Sequence, residues 1–186
     1  MEADWEVEIG GNAPVIEASW PGFVDLRQSP QRAFSLPETA DYPALAEALI
    51  RLNASNSPVW TSKCDLWPQL EADAFDPSEL DAPPDHAAHA VGCYIDLLPR
   101  ESQLWATPQL AVSACQRVCA LLRANPLPCA RLDLILRQAN PAPDQQGLGV
   151  TAYLTACGPS PSAAARTLAD ALALFAGAFR AESTLQ

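Results

Sequence analysis

Four stretches of this chain set an aspartate beside a leucine within runs of mostly alternating polar and apolar residues. They are Val24-Asp25-Leu26, Cys64-Asp65-Leu66, Ile95-Asp96-Leu97 and Leu132-Asp133-Leu134. Successive side chains of a strand point to opposite faces, so such a run has one dry side and one wet side. A chain with several of them is committed to a sheet whose two faces meet different surroundings. In 91–98 the apolar set is Cys93, Ile95 and Leu97, opposite Tyr94 and Asp96. In 129–137 it is Ala130, Leu132, Leu134 and Leu136, opposite Arg131, Asp133 and Arg137. In 149–157 Ala152, Leu154 and Ala156 oppose Thr151, Tyr153 and Thr155. In the strand 58–67 the same count puts Trp60, Ser62, Cys64 and Leu66 on one side and Thr61, Lys63 and Asp65 on the other.

The dry side needs helices to cover it, and three are predicted. Asp41 and Pro43 open one at 41–53 with Leu45, Leu49 and Leu52 on one face. Thr107-Pro108 opens a second at 107–124 with a stripe of Ala111, Cys115, Val118, Cys119 and Leu122. Ser160-Pro161 opens the third at 161–179, striped by Leu168, Leu172, Phe175 and Phe179. Towards the N-terminus, Trp5, Val7 and Ile9 alternate with Glu6 and Glu8, and Gly10-Gly11-Asn12 turns the chain into Val15–Trp20 as a hairpin. After Pro21-Gly22 the pairing resumes over Phe23–Arg27. Residues 68–88, with four prolines and six acidic residues, read as a long acidic loop.

The two helices between the Asp-Leu strands end alike, as Leu49-Ile50-Arg51-Leu52-Asn53 and Leu121-Leu122-Arg123-Ala124-Asn125. Asp25 lies 26 residues before Arg51, and Asp96 lies 27 before Arg123. The expectation is a single α+β domain over 1–186 containing two strand–helix–strand halves, 13–67 and 90–139. Together they give a ferredoxin-like βαββαβ core by internal duplication. An extra N-terminal strand and a C-terminal strand–helix complete a two-layer sandwich, with a mainly antiparallel sheet of five to seven strands and three helices on one face. In that arrangement Asp25 lies beside Asp96.

Composition narrows the function. The formal charge of −11, from 22 acidic and 11 basic residues, repels phosphate backbones and disfavours nucleic acid as a partner. No apolar run reaches the ~18–20 residues of a bilayer span, and the acidic start lacks the features of a signal peptide, so a soluble cytoplasmic location is expected. The six cysteines, Cys64, Cys93, Cys115, Cys119, Cys129 and Cys157, fall inside predicted elements without a C-x-x-C pair and read as buried thiols. His86, His89 and Cys93 have spacing that zinc could use, but no fourth ligand is evident, so no metal and no cofactor are assigned. Gly-rich phosphate loops and the signatures of serine hydrolases and zinc proteases are absent.

What remains is the polar sheet face. Its candidate binding residues are Lys63, Asp65, Asp96, Asp25, Tyr94, Arg131, Asp133, Arg137 and Tyr153. Lys63 is the only lysine against ten arginines, and a compact ammonium among aspartates is not replaced by a guanidinium. Exposed aromatics and arginines on a flat surface suit a protein-interaction or self-associating module, with a protein partner or a second copy as occupant. The competing expectation is a small-molecule site or an enzyme on the same face around Lys63. A deep pocket there would favour the latter.

Overall fold

The computed structural model describes residues 1–18, 20–70 and 75–182. Its architecture is α+β: a six-stranded mixed sheet carries three helices on one face. The strands are β1 (Glu2–Glu8), β2 (Ile16–Glu17), β3 (Val59–Trp67), β4 (His89–Pro99), β5 (Ala130–Ala142) and β6 (Gln145–Gly158). Their order is β1-β5-β6-β4-β3, with β2 also on β5. The β3–β4, β4–β6 and β5–β6 pairs are antiparallel, whereas β1 and β2 both run parallel to β5. The helices are α1 (Pro43–Asn53), α2 (Pro108–Arg123) and α3 (Pro161–Glu182). Helix α3 lies over β6 and β4, between α1 and α2.

Each helix forms where its stripe and its start signal agree. Thr107 caps α2 by accepting a hydrogen bond from the Leu110 N–H, and Pro108 occupies the first turn, where a missing N–H costs nothing. Helix α1 starts one residue later than Asp41 implies: Tyr42 is at its cap without a side-chain bond, and Pro43 leads the first turn. The expected stripe residues of all three helices are buried. They meet Ala130, Leu132, Leu134 and Leu136 of β5, Ala152, Leu154 and Ala156 of β6, and Cys93, Ile95 and Leu97 of β4. At the centre Phe175 and Phe179 meet edge to face at 5.3 Å. Removing a side chain of this size from water contributes about 2–3 kcal/mol. Close approach at the strand–helix junction depends on Gly158, since a Cβ there would lie 2.6 Å from the Ala164 nitrogen.

The two similar helix ends share a device. The Asn53 amide donates to the Leu49 carbonyl and the Asn125 amide to the Leu121 carbonyl, each one turn back. Asn53 also receives the Thr61 N–H and donates to the Thr61 hydroxyl, so a buried amide ties α1 to β3 with its polar atoms satisfied.

Three expectations are corrected. The N-terminal hairpin does not form: β1 and β2 lie end to end along the same edge of β5 rather than against each other. The long strand β5 offers that edge over both lengths, and Ile16 gains a seat on Gly149 that hairpin pairing would not provide. Residues 23–27 form no strand but a turn-rich segment. Strand β4 is flanked by β6 and β3, so Asp25 and Asp96 are not sheet neighbours, and the first half of the ferredoxin-like arrangement lacks its opening strand. Beyond Arg137 and before Gly149, β5 and β6 run on to a tight turn, with Asp144 left-handed at φ 59°.

Candidate functional site

The sheet face away from the helices is not uniformly open. At one end the segment after β2 fills it. Ile16, Trp60, Leu98 and Ala139 form a small second core with Ala18 and Phe23 against it. Phe23 stands between Trp20 and Trp60 at centroid distances of 6.1 and 6.3 Å. Glu17 pairs with Asn140 of β5, and its carbonyl also accepts a short hydrogen bond from the Ser62 hydroxyl of β3. One residue thus touches strands that are otherwise separated by β4 and β6, so this end of the sheet curls towards closure.

The opposite end is covered by the acidic segment. Leu80 is buried with Ala90, Cys129 and Cys157, and Leu70, Phe75, Ala82 and Ala87 pack around them. The segment also holds two short helical turns, at Pro77–Leu80 and Pro84–His86. Apolar anchors at intervals therefore fasten it to the sheet. Residues 71–74 of the predicted loop lie outside the described residues.

Strand β3 explains why Trp60 belongs to this face. Thr61 pairs with Leu97 and Cys64 with Ile95, so Ser62 and Lys63 together oppose Asp96 in a β-bulge. A bulge inserts one residue and reverses the side-chain alternation beyond it. Trp60 therefore points with Leu98 to the face away from the helices, whereas Cys64 and Leu66 join the main core. The expectation that Trp60, Ser62, Cys64 and Leu66 share one face, with Thr61 on the other, is corrected on this ground.

Between the two covered ends lies a polar band. Its centre is Asp96, 7% exposed, which accepts a 2.6 Å hydrogen bond from the Thr151 hydroxyl. Thr151 in turn accepts one from Arg137 at 3.1 Å, and Arg137 is paired with Glu8 at 2.7 Å. Burial pushes the Asp96 carboxyl above its ordinary range; the Thr151 bond and the charges of Arg137 and Lys63 oppose that rise. Beside this chain of contacts runs an aromatic ladder. Trp67 meets Tyr94 at 5.8 Å, Tyr94 meets Tyr153 at 6.0 Å, and the Arg137 guanidinium lies 5.9 Å from the Tyr153 ring. Gly92 leaves room for it, because a Cβ there would touch both Trp67 and Leu70. The Tyr94 hydroxyl is pushed up to about 12, first by burial and then by Asp96 and Asp65.

Of the nine candidate residues, Tyr94, Asp96, Arg131, Asp133, Arg137 and Tyr153 fall on this band with Asp65 at its β3 border. Lys63 sits at the bulge, its ammonium 5.6 Å from the Trp20 ring. Arg131 holds Asp133 through both Nε and Nη2 and reaches Glu79 at 3.5 Å. The Asp25–Asp96 pair anticipated across the sheet does not form; the aspartates that stand opposite each other are Asp4 and Asp133, relieved by Arg123 and Arg131. Asp25 is elsewhere: it is chelated by Arg27, whose hydrogen bonds hold its carboxyl below the usual range. Trp67, Glu8 and Thr151 belong to the band but were not among the candidate residues, although alternation alone places them there, Trp67 with Asp65, Glu8 with Glu6 and Thr151 with Tyr153.

The thiols are buried except for the half-buried Cys64, and no metal-binding group of three or more ligands occurs among the described residues. Burial pushes Cys64 and Cys157 up to about 12 and Cys119 to about 11. No helix among the described residues is long and apolar enough to cross a membrane. Comparison with protein-family models, curated proteins and solved structures finds no match to this chain.

Proposed function

We propose that the polar band is a docking surface for a positively charged protein segment. The observation that carries this reading is the Trp67–Tyr94–Tyr153 ladder, set in the exposed middle of the sheet while both ends of the same face are covered. Aromatic rings with half-exposed faces are enriched where proteins bind one another, and they attract guanidinium and ammonium groups. The band has the matching charge. Glu2, Asp4, Glu6 and Glu8 of β1, with Asp65, Asp96 and Asp133, outnumber Arg123, Arg131, Arg137 and Lys63 by seven to four. That excess disfavours a second copy of the same face and favours a basic partner.

A Lys63-centred small-molecule site has less support. The space beside Lys63, lined by Trp20, Leu36, Leu49 and Thr61, is about 230 Å³, below the ~300–1,000 Å³ usual for ligand pockets. The test is calorimetric titration with an arginine- and lysine-rich peptide, alongside an acidic peptide of equal length. The basic peptide is expected to bind, and more weakly as salt rises. The double variant Trp67→Ala/Tyr94→Ala should lose about tenfold in affinity or more. Equal binding by the double variant, or concentration-dependent dimers in sedimentation without any peptide binding, would replace this reading.

A further inference from the structure

A second region carries chemistry that the sheet face does not use. The turn at Asp25–Arg27, the ends of β3 and β4, the link from Arg100 to Ala106 and the β5–β6 hairpin meet around a cleft of about 660 Å³, large enough for a small molecule. In a chain with twice as many acidic as basic residues, its lining holds two arginines, Arg27 and Arg100, and no carboxylate. Its other polar groups are the Gln103, Gln145 and Gln146 amides and the Ser102 hydroxyl.

Both guanidiniums are fixed. Arg27 stacks 3.9 Å over the Trp60 ring, and Asp25 takes its Nε and Nη2. Arg100 gives Nε to the Ser57 carbonyl and Nη2 to those of Asn53 and Ala54, gripping the end of α1. In each, Nη1 makes no hydrogen bond among the described residues. Burial and then the nearby charge of Arg27 lower the Arg100 pKa, so the positive charges here repel one another with only Asp25 to offset them. The lining also includes Trp105, a buried indole whose Nε1 has no hydrogen-bond partner.

We infer that this cleft binds a small molecule carrying a carboxylate or phosphate on a planar body, with the anion between Arg27 and Arg100 and the plane along the wall that holds Trp105. Fixed arginines recognise the oxygens of either anion through charge-assisted hydrogen bonds. The indoles exclude water and so strengthen those bonds.

Calorimetric titration of the full chain at matched ionic strength tests this with phenyl phosphate, benzoate, inorganic phosphate and neutral benzyl alcohol. Phenyl phosphate or benzoate is expected to bind saturably at one site, and whichever binds more tightly identifies the anion. Inorganic phosphate should bind more weakly than phenyl phosphate, and benzyl alcohol should not bind. Arg27→Met and Gln145→Glu should each weaken the bound anion about tenfold or more, the loss of one charge-assisted contact or the gain of one repulsive charge. Gln145 is exposed at the hairpin tip, so Gln145→Glu decides the matter even where Arg27→Met perturbs the turn. Trp67→Ala should leave this binding unchanged, which separates it from the sheet-face reading. The inference is overturned if neither aromatic anion saturates below ~10 mM, if benzyl alcohol binds as well, or if Gln145→Glu binds like the wild type.

Discussion

The two faces of this sheet are built from the same strands, yet they obey different rules. Under the helices, Leu132, Leu134, Ile95, Leu154 and Phe175 are wholly buried in one continuous core. On the other side the buried apolar clusters lie where another segment covers the strands, Ile16 and Phe23 at one end and Leu80 and Phe75 at the other, while Ile135 stands half-buried between Asp133 and Arg137. Between these lids the strands carry Asp96, Thr151, Arg137, Tyr94 and Tyr153, satisfied by one another rather than by a covering layer. The chain has the material to cover both ends and leaves the middle uncovered. An uncovered middle made of charges and ring faces is a surface suited to a partner.

The helix-covered face should be the more sensitive of the two. Phe175→Ala should lower unfolding free energy by about 3–5 kcal/mol, read as a fall in urea midpoint at unchanged slope, because a close-packed core cannot refill the space. A loss under about 1 kcal/mol would mean that the helix layer is not packed as described.

Next comes the lid beside Trp60. At Gly149 a Cβ would lie 2.8 Å from Ile16 Cδ1 and 2.9 Å from the Leu97 carbonyl oxygen. Gly149→Ala should therefore cost about 1–3 kcal/mol in the same assay. A neutral result would show that Ile16 does not seat there, and that this end of the face is open as well.

The polar band should respond less, and with a sign of its own. Lys63→Ala should cost about 1 kcal/mol or less, the scale of a half-exposed cation over a ring. Asp96 differs. Burial raises its pKa above the ordinary 3.8, so the folded state favours the protonated form. Its contribution to stability is then fully present at pH below 3.8 and is lost as pH rises through the folded value. Asp96→Asn keeps an oxygen for Thr151 and removes that loss. It should melt above wild type at neutral pH, with the gap closing in acid. A lower melting temperature at neutral pH would show that Arg137 and Lys63 outweigh burial.

The smallest effect on stability is expected at the border of the band. Asp65 is exposed at the β3 edge of the band. Asp65→Asn should change stability by no more than about 0.5 kcal/mol while weakening the basic peptide measurably at low salt. A residue with no weight in folding and some weight in binding is what an interaction surface should contain.

How much of this was legible beforehand depends on whether the cause is local. Alternation assigned Asp96, Arg137 and Tyr153 to the polar side, and the helix stripes named the residues that α1, α2 and α3 bury. Asn53 and Asn125 were legible as similar helix ends, and they do share one capping bond. That device is local: shared ancestry of two halves would produce it, and so would the need to end a helix on a bonded amide. It therefore did not justify the strand assigned to residues 23–27.

The three helices, and the polar sides of β4, β5 and β6, were readable from the chain alone, because those follow from a repeat of 3.6 or two residues along it. Only the tertiary structure decided where that repeat is interrupted and what covers each face. The bulge at Ser62-Lys63 is visible only against β4, and it moves Trp60 and Cys64 to opposite sides. The gathering of Arg27, Trp60, Arg100 and Gln145 around one cleft joins four distant parts of the chain. Register, lids and clefts depend on contacts between residues far apart in sequence, and a local pattern holds no record of those partners.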